Sequence, residues 1–195
     1  MNNQSLMIGI VTDNKDPDKM GRIQIAFPSL LDGPTMWTRI VTPLAGEGKG
    51  QYFLPEIDDE VLVAINQSDF SSAYVLGSLW GTQRKPPEEM YHDENNLKVI
   101  RTRSGSTITF DDADGEERIE IKDKNENTIL ISTGDKLIKI QSKGNIELYA
   151  ESDIILQGKK VQIKADDSIE AKAGSSMSLD GGGTAELKAG TVNIN

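Results

Sequence analysis

The sequence predicts an all-β protein in two parts, a small N-terminal barrel followed by a C-terminal intertwined trimeric β-helix, or β-prism. Five short apolar runs, each ended by turn residues, occupy residues 6–81. No stretch of the chain has the apolar spacing of an amphipathic helix. Beyond residue 137, pairs of apolar residues recur every seven or eight positions, which indicates a repeat architecture.

Five strands are predicted for the barrel, which we assign to residues 1–82. They are "LMIGIVTD", "GRIQIAFP", "MWTRIVTPL", the β-branched run Val61–Ile65 and "SAYVLGSLW". Pro17 and Gly21 stand at turn positions between the first two strands. Many short strands with regular turn signals and no helix are typical of a small barrel.

A polar linker is predicted for residues 83–96, "QRKPPEEMYHDENN". Pro86 and Pro87 exclude a central strand there, because proline has no N–H to donate to a ladder. His92 is the single histidine of the chain, and we interpret it as a surface residue. Residues 97–195 then form the predicted shaft, which begins with strands separated by Gly and Asp/Asn turns.

The shaft contains pairs of apolar residues two positions apart, and each pair is followed by polar or glycine residues. Residues at i and i+2 lie on one face of a strand, so each pair is expected to point inward. The predicted trimer-core residues are Ile138, Ile140, Ile146, Leu148, Ile154, Leu156, Val161, Ile163, Ile169, Ala171, Met177, Leu179, Leu187, Val192 and Ile194.

The predicted trimer follows from how little each repeat buries. Two inward side chains in eight residues do not offset the entropy lost in ordering those residues. Units of seven or eight residues are also too short to go round a single-chain β-helix. They fit one side of a triangular prism whose other sides come from two further copies. A flat, exposed meander is the alternative, and it would leave long edges open to aggregation.

Composition excludes several classes of function. The chain has 31 acidic and 21 basic residues, which disfavours non-specific binding to nucleic acid. It has no cysteine and no apolar run of 18 residues, and its N-terminus lacks the features of a signal peptide. The adjacent carboxylates Asp58–Asp59, Asp111–Asp112 and Asp166–Asp167 are interpreted as turn and surface residues, since neighbours in a strand face opposite ways. We therefore predict no enzyme activity, no metal site and no cofactor.

Six ordered blocks carry a family resemblance: Gly9–Val11, Gly21–Ile25, Trp37–Ile40, Pro43–Gly50, Pro55–Ile65 and Val75–Trp80. They resemble the OB-fold domain of phage baseplate assembly protein V and of VgrG-like central spikes of contractile injection systems. Asp58 departs from the family pattern, which often has glycine at that place.

The resemblance implies a structural, trimeric, membrane-piercing needle at the baseplate of a contractile phage tail or a related injection particle. A chain of this kind is made in the bacterial cytoplasm and touches the target-cell envelope only transiently. About seven residues precede the first strand, so we expect the baseplate hub to be a separate polypeptide. The glycine-rich loop is a plausible hub contact, through Ala45, Gly46, Gly48 and Gly50.

The end of the chain lacks the His-x-His pair that holds an iron ion in some small spikes of this kind. The resemblance therefore implies that a separate PAAR-like tip protein caps the shaft. Its expected contacts are Val192, Asn193, Ile194 and Asn195.

Three other functions are compatible with parts of this pattern. OB-folds often bind oligonucleotides through basic and aromatic faces, but we place Trp37, Phe53 and Trp80 in the core and predict no nucleic-acid binding. A receptor- or glycan-binding tail fibre module would need a receptor-binding domain after the shaft. A polysaccharide-degrading enzyme would need a carboxylate pair in a cleft.

Overall fold

The computed structural model describes residues 4–30, 35–66 and 69–193. Its contacts divide the chain into two compact units, Met1–Asn145 and Ile146–Asn195. The first unit contains every strand of the described residues, and the second contains none. The described part of the chain has no helix with the length and apolar character needed to span a bilayer.

A closed five-stranded barrel forms the N-terminal part, in the order β1-β2-β3-β7-β6, and it confirms the barrel that the sequence predicts. All neighbouring strands are antiparallel except β3 and β7, which are parallel. The strands are β1 (Gln4–Asp13), β2 (Ile23–Ala26), β3 (Met36–Ile40), β6 (Glu60–Asn66) and β7 (Asp69–Leu79).

Strict alternation along these strands builds the barrel core. In β2, Ile23 and Ile25 point inward and are fully buried, and in β6 Val61 and Val63 do the same. Gly9 of β1 lies where these side chains crowd the barrel, since a Cβ there would be only 3.2 Å from a methyl group of Val63. The buried apolar core is Val11, Ile23, Ile25, Phe27, Val61, Val63, Ile65, Ala73 and Val75.

Two further antiparallel sheets are present in the described residues, a short hairpin and a five-stranded meander. The short hairpin of β4 (Ala45–Gly46) and β5 (Lys49–Gly50) lies between β3 and β6 and is exposed. A five-stranded meander follows the linker, and each of its strands pairs with the next in the chain. Its strands are β8 (Leu97–Arg101), β9 (Thr107–Asp111), β10 (Arg118–Lys122), β11 (Thr128–Ser132) and β12 (Leu137–Gln141).

The repeat region has no strand partners within one copy. Residues 142–193 have no assigned strand, and every large apolar side chain from Ile146 to Val192 is exposed. Ile194 and Asn195 lie outside the described residues. The β-prism therefore stays a prediction, as do the boundaries 1–82, 83–96 and 97–195.

Candidate functional site: the exposed apolar and cationic surfaces

One face of the β8–β12 sheet is apolar and uncovered. The strand registers align its side chains in two rows. One row crosses all five strands from Ile100 to Ile140, and the other runs from Ile138 to Phe110 and ends at Lys98 of β8. Nine large apolar side chains stand on this face, each 37–71% exposed, and we call this set the apolar face. It consists of Ile100, Ile108, Phe110, Ile119, Ile121, Ile129, Ile131, Ile138 and Ile140.

The opposite face of the same sheet is mostly polar. Arg118 pairs with Asp111 at 2.9 Å across neighbouring strands, and that carboxylate is nearly buried. Glu120 and Lys139 stand on this face in one row with Thr109. Because side chains alternate along a strand, one sheet has a polar side that suits water and an apolar side that does not.

Hydrogen bonds brace one end of the sheet. Asp123 accepts from the backbone N–H groups of Asn125 and Asn127, at 2.8 and 2.9 Å, and from the Asn127 amide at 2.8 Å. These bonds, first of all those from Asn127, lower the pKa of the Asp123 carboxyl below its usual value. The Asn127 side chain also accepts from the Lys143 N–H at 2.9 Å, just beyond β12. The turns are thus held firmly while the apolar face stays open.

The predicted trimer-core residues divide between the two units. Ile138 and Ile140 belong to β12 and to the apolar face. The large apolar predicted residues from Ile146 to Val192 are 50–82% exposed in the single copy. Of the predicted tip contacts, Val192 and Asn193 are also exposed.

The predicted hub-docking residues form the β4–β5 hairpin. Ala45 pairs with Gly50 and Gly46 with Lys49, and all of them are exposed. Gly48 has a φ of +67°, which favours glycine at the turn. A Cβ at Gly50 would lie 2.8 Å from the carbonyl oxygen of Leu44, so the two arms approach too closely for a side chain. The glycines thus set the shape of the hairpin.

A groove of about 780 Å³ lies beside this hairpin, and we call it the hairpin groove. Its lining comes from the β1–β2 loop, from β3 and β7, and from residues 42–54. Lys19, Arg39 and Lys49 line it, and no lining residue is acidic. Tyr52 reaches across to the β1–β2 loop, where its ring is 3.4 Å from the place of a Cβ on Gly21.

The β1–β2 loop is fixed by Asp16. Its nearly buried carboxylate accepts from the N–H groups of Asp18, Met20 and Arg22, and from the Arg22 guanidinium at 2.7 and 3.1 Å. These contacts, led by the Arg22 side chain, hold the pKa of Asp16 far below its usual value and raise the pKa of Arg22. One wall of the hairpin groove is therefore rigid.

Two aromatic side chains lie where the sequence did not place them. Phe53 is 69% exposed and Trp80 is 71% exposed, so the expectation that both belong to the core is wrong. Phe53 follows the β4–β5 hairpin in a segment without regular pairing, and Trp80 lies just past the end of β7. Trp37 is half-buried, with the Arg22 guanidinium 6.0 Å from its ring centre.

The adjacent carboxylates occupy turns and a strand end. Asp58 has a φ of +73°, the left-handed conformation that glycine adopts most readily, and Asp59 accepts from the Glu56 N–H at 2.8 Å. Asp111 pairs with Arg118, and Asp166 and Asp167 are exposed. Among the described residues, no three His, Cys, Asp or Glu side chains are grouped in a way that could hold a metal ion.

The comparison with protein families identifies the barrel. Residues 7–80 match the family described as the type VI secretion system/phage-baseplate injector OB domain. Residues 7–80 are thus similar to an injector OB domain, and we call them the injector OB domain. This confirms the resemblance stated from the sequence. The matched residues contain the hairpin groove and all five barrel strands, except for the first three residues of β1.

Solved structures include similar chains. The lidded PdpA–VgrG complex of Francisella contains a chain that is 12% identical, with a TM-score of 0.42. The match covers 72% of our chain but 26% of that chain, so our chain spans about a quarter of its length. No curated protein matches.

Sequence reasoning missed two features of these surfaces. The apolar face begins at Ile100, well before the predicted trimer core at Ile138. Its signal is present in the sequence, because "TITF", "RIEIK" and "TILIS" carry the same i, i+2 pairs as the later repeat. The hairpin groove has no such signal, because Lys19, Arg39 and Lys49 are distant in the chain and meet only in the fold.

Proposed function

We propose that the chain is the structural central spike of a contractile phage tail or related injection particle, and that three copies assemble into one needle. The similarity of residues 7–80 to the injector OB domain supports a baseplate-related role. In the proposal, this domain joins the baseplate hub, and residues 97–195 form the shaft that pierces the target envelope. The role is mechanical and requires no active site.

The apolar face is the observation that carries this proposal. Soluble monomers rarely expose large contiguous apolar patches, and larger ones mark contacts with other proteins or membranes. Here nine large apolar side chains share one sheet face, while the other face is mostly polar and includes Val99 and Leu130. Three such sheets facing inward would each form one wall of a prism. Because each isoleucine is already partly covered, burying the rest would contribute roughly 1–1.5 kcal/mol per side chain, about half of the value for a fully exposed one.

Beyond β12, the repeat keeps the i, i+2 spacing of apolar residues found in the sheet. Ile138 and Ile140 belong both to the apolar face and to the first pair of the predicted trimer core. The next pairs, from Ile146 onward, keep the i, i+2 spacing and have no partners in the described single copy. Partner copies would supply both the apolar neighbours and the strand ladder.

The two ends of the spike have different proposed partners. The hub would contact the injector OB domain near Ala45, Gly46, Gly48 and Gly50, which are exposed in the hairpin. A PAAR-like tip protein would cap Val192–Asn195. The net charge of −10 does not favour retention on anionic lipid, which suits a shaft that passes through a membrane.

Native mass spectrometry of the purified full chain tests the trimer. The expected mass is about 64 kDa, which is three times the 21.3 kDa of one copy. A mass of about 43 kDa would mean two sheets packed face to face, and one of about 21 kDa would mean a stable monomer. Either result would overturn the proposed spike.

Two neighbouring substitutions in β11 locate the contact. Ile129→Asp places a charge on the apolar face, whereas Thr128→Asp places the same charge on the polar face of the same strand. Burying an unpaired carboxylate costs several kcal/mol, so Ile129→Asp should abolish the trimer. Thr128→Asp should leave it intact. Equal masses for the two variants would contradict the assignment of the apolar face.

A further inference from the structure

From the hairpin groove we infer that the injector OB domain takes up an extended acidic segment of the hub protein. This inference rests on the proposed function, because it names the chemistry by which the hub would be recognised. It also moves the contact from the glycine-rich loop itself to the groove beside that loop. The hairpin glycines then shape one wall, and the ligand contacts are made by cationic and aromatic side chains.

The charge of the groove is the first argument. Lys19, Arg39 and Lys49 line it without an acidic lining residue, although the chain as a whole carries ten more acidic than basic residues. Among the described residues, none of these three cations forms an ion pair. The nearby Asp18 carboxylate is occupied by Arg22 at 2.5 Å. A partner with carboxylates would supply the missing counter-charges.

Tyr74 holds the Arg39 side chain in place and leaves most of its N–H donors without a partner among the described residues. Its guanidinium lies 4.9 Å from the centre of the Tyr74 ring and donates to the Tyr74 hydroxyl at 2.8 Å. An arginine has five N–H donors, and no other hydrogen bond links Arg39 to a described side chain. A guanidinium fixed in this way is suited to a two-pronged contact with a carboxylate.

The other wall offers apolar contact and unpaired backbone. Tyr52 is 74% exposed and Leu44 is 53% exposed, so both have a large area left to cover. From Tyr52 to Leu54 the backbone makes no hydrogen bond with any described residue. An extended peptide satisfies free backbone groups of this kind and places alternate side chains on opposite sides. The geometry therefore fits an acidic segment with alternating apolar side chains.

Nucleic acid fits the same groove less well. Cations and exposed aromatic rings do favour single-stranded nucleic acid in OB-folds. However, a phosphate backbone is a continuous polyanion, and the net charge of −10 repels it at long range. A peptide presents a few separate carboxylates and carries backbone donors and acceptors that match the segment Tyr52–Leu54. We therefore assign the groove to a protein segment.

Fluorescence anisotropy with a labelled octapeptide of alternating Glu and Tyr tests the inference on the full chain. Matched peptides replace Glu by Lys or Tyr by Ser. The groove variant is Lys19→Glu/Lys49→Glu, and its control, Lys85→Glu/Lys124→Glu, makes the same change of charge at exposed sites outside the groove. We expect the groove variant to bind the Glu-Tyr peptide about tenfold more weakly. The control should differ by no more than about twofold, because distant charges are screened.

Several results would overturn the inference. They are equal weakening in both variants, equal binding of the Lys-Tyr peptide, and binding of oligothymidylate as tight as that of the Glu-Tyr peptide. A native mass that falls only in the groove variant would assign the groove to contacts between copies. The proposed spike fails separately, through the native mass of the unmodified chain. A 64 kDa protein that does not bind the Glu-Tyr peptide would remove the groove inference alone.

Discussion

At the scale of single residues, Asp16 organises the β1–β2 loop that forms one wall of the hairpin groove. Its two oxygens accept five hydrogen bonds, three from the backbone N–H groups of Asp18, Met20 and Arg22 and two from the Arg22 guanidinium. All of these bonds favour the charged carboxylate, which explains the direction of its pKa shift. The loop therefore owes its shape to one ionised side chain.

We predict that Asp16→Asn lowers the Tm at pH 7 by several degrees, because the amide nitrogen would face N–H donors. A carboxyl with a lowered folded pKa contributes stability above its unfolded pKa of about 4, and loses that stability as the pH falls. The Tm difference between wild type and variant should therefore shrink from pH 7 to pH 3. Thermal unfolding followed by circular dichroism measures it.

Asp18→Asn is the matched control for this pair of measurements. The Asp18 side chain is exposed and has one ion-pair contact, with Arg22. We expect a small effect on Tm at both pH values, since exposed ion pairs contribute little. A pH-independent difference for Asp16→Asn would show that its charge is not what stabilises the loop.

At the scale of elements, two turns meet at one end of the β8–β12 sheet. Thr133 donates to the Glu117 carbonyl at 2.8 Å, which ties the turn after β11 to the turn before β10. Gly134 and Gly115 touch at this junction. A Cβ at Gly134 would lie 2.2 Å from the Gly115 carbonyl oxygen, which no side chain could tolerate without movement. The contact fixes the relative position of the two turns at this end of the sheet.

Gly134→Ala should accordingly reduce the free energy of unfolding by about 1–3 kcal/mol, the usual cost of overpacking. Gly144→Ala is the control, because its Cβ would meet only the Ser142 hydroxyl at an ordinary 3.9 Å. The control should remain within about 0.5 kcal/mol of wild type. Chemical denaturation of both variants provides the comparison, and equal stabilities would contradict the close approach.

The same scale shows what could be predicted from the sequence. The barrel strands are predictable because inward residues such as Ile23 and Ile25 alternate with outward ones. The β4–β5 hairpin was expected only as a loop, since glycine gives no alternation to recognise. The prediction that Phe53 and Trp80 belong to the core was wrong because the local sequence around an aromatic residue does not show whether other residues cover it. Coverage depends on tertiary or quaternary partners.

At the scale of the whole molecule, the apolar face and the repeat would both contribute to the proposed trimer. The β8–β12 sheet contributes nine large apolar side chains within the unit Met1–Asn145. The later repeat contributes about two for every eight residues, and Ala171 is among them. The two segments therefore carry large apolar side chains at a similar density, and those of the sheet already share one face through paired strands.

This division predicts the behaviour of truncated chains. A chain ending at Asn145 keeps the apolar face, so it should remain a trimer of folded subunits. A chain ending at Thr82 keeps the injector OB domain but has lost the apolar face, so it should be a monomer. Native mass spectrometry distinguishes the two. A monomeric chain ending at Asn145 would mean that the repeat, and not the sheet, joins the copies.

The two-sided character of the β8–β12 sheet has a consequence for biosynthesis. A newly synthesised copy exposes the hydrophobic side of this sheet to water. Other exposed hydrophobic segments could bind to that side. Assembly of the proposed trimer would therefore compete with aggregation, and the balance would depend on how many copies are made close together. Translation of one mRNA by many ribosomes would raise the local concentration of copies and favour assembly of the trimer. Slow synthesis at well-separated ribosomes would leave the hydrophobic side exposed for longer and favour inclusion bodies.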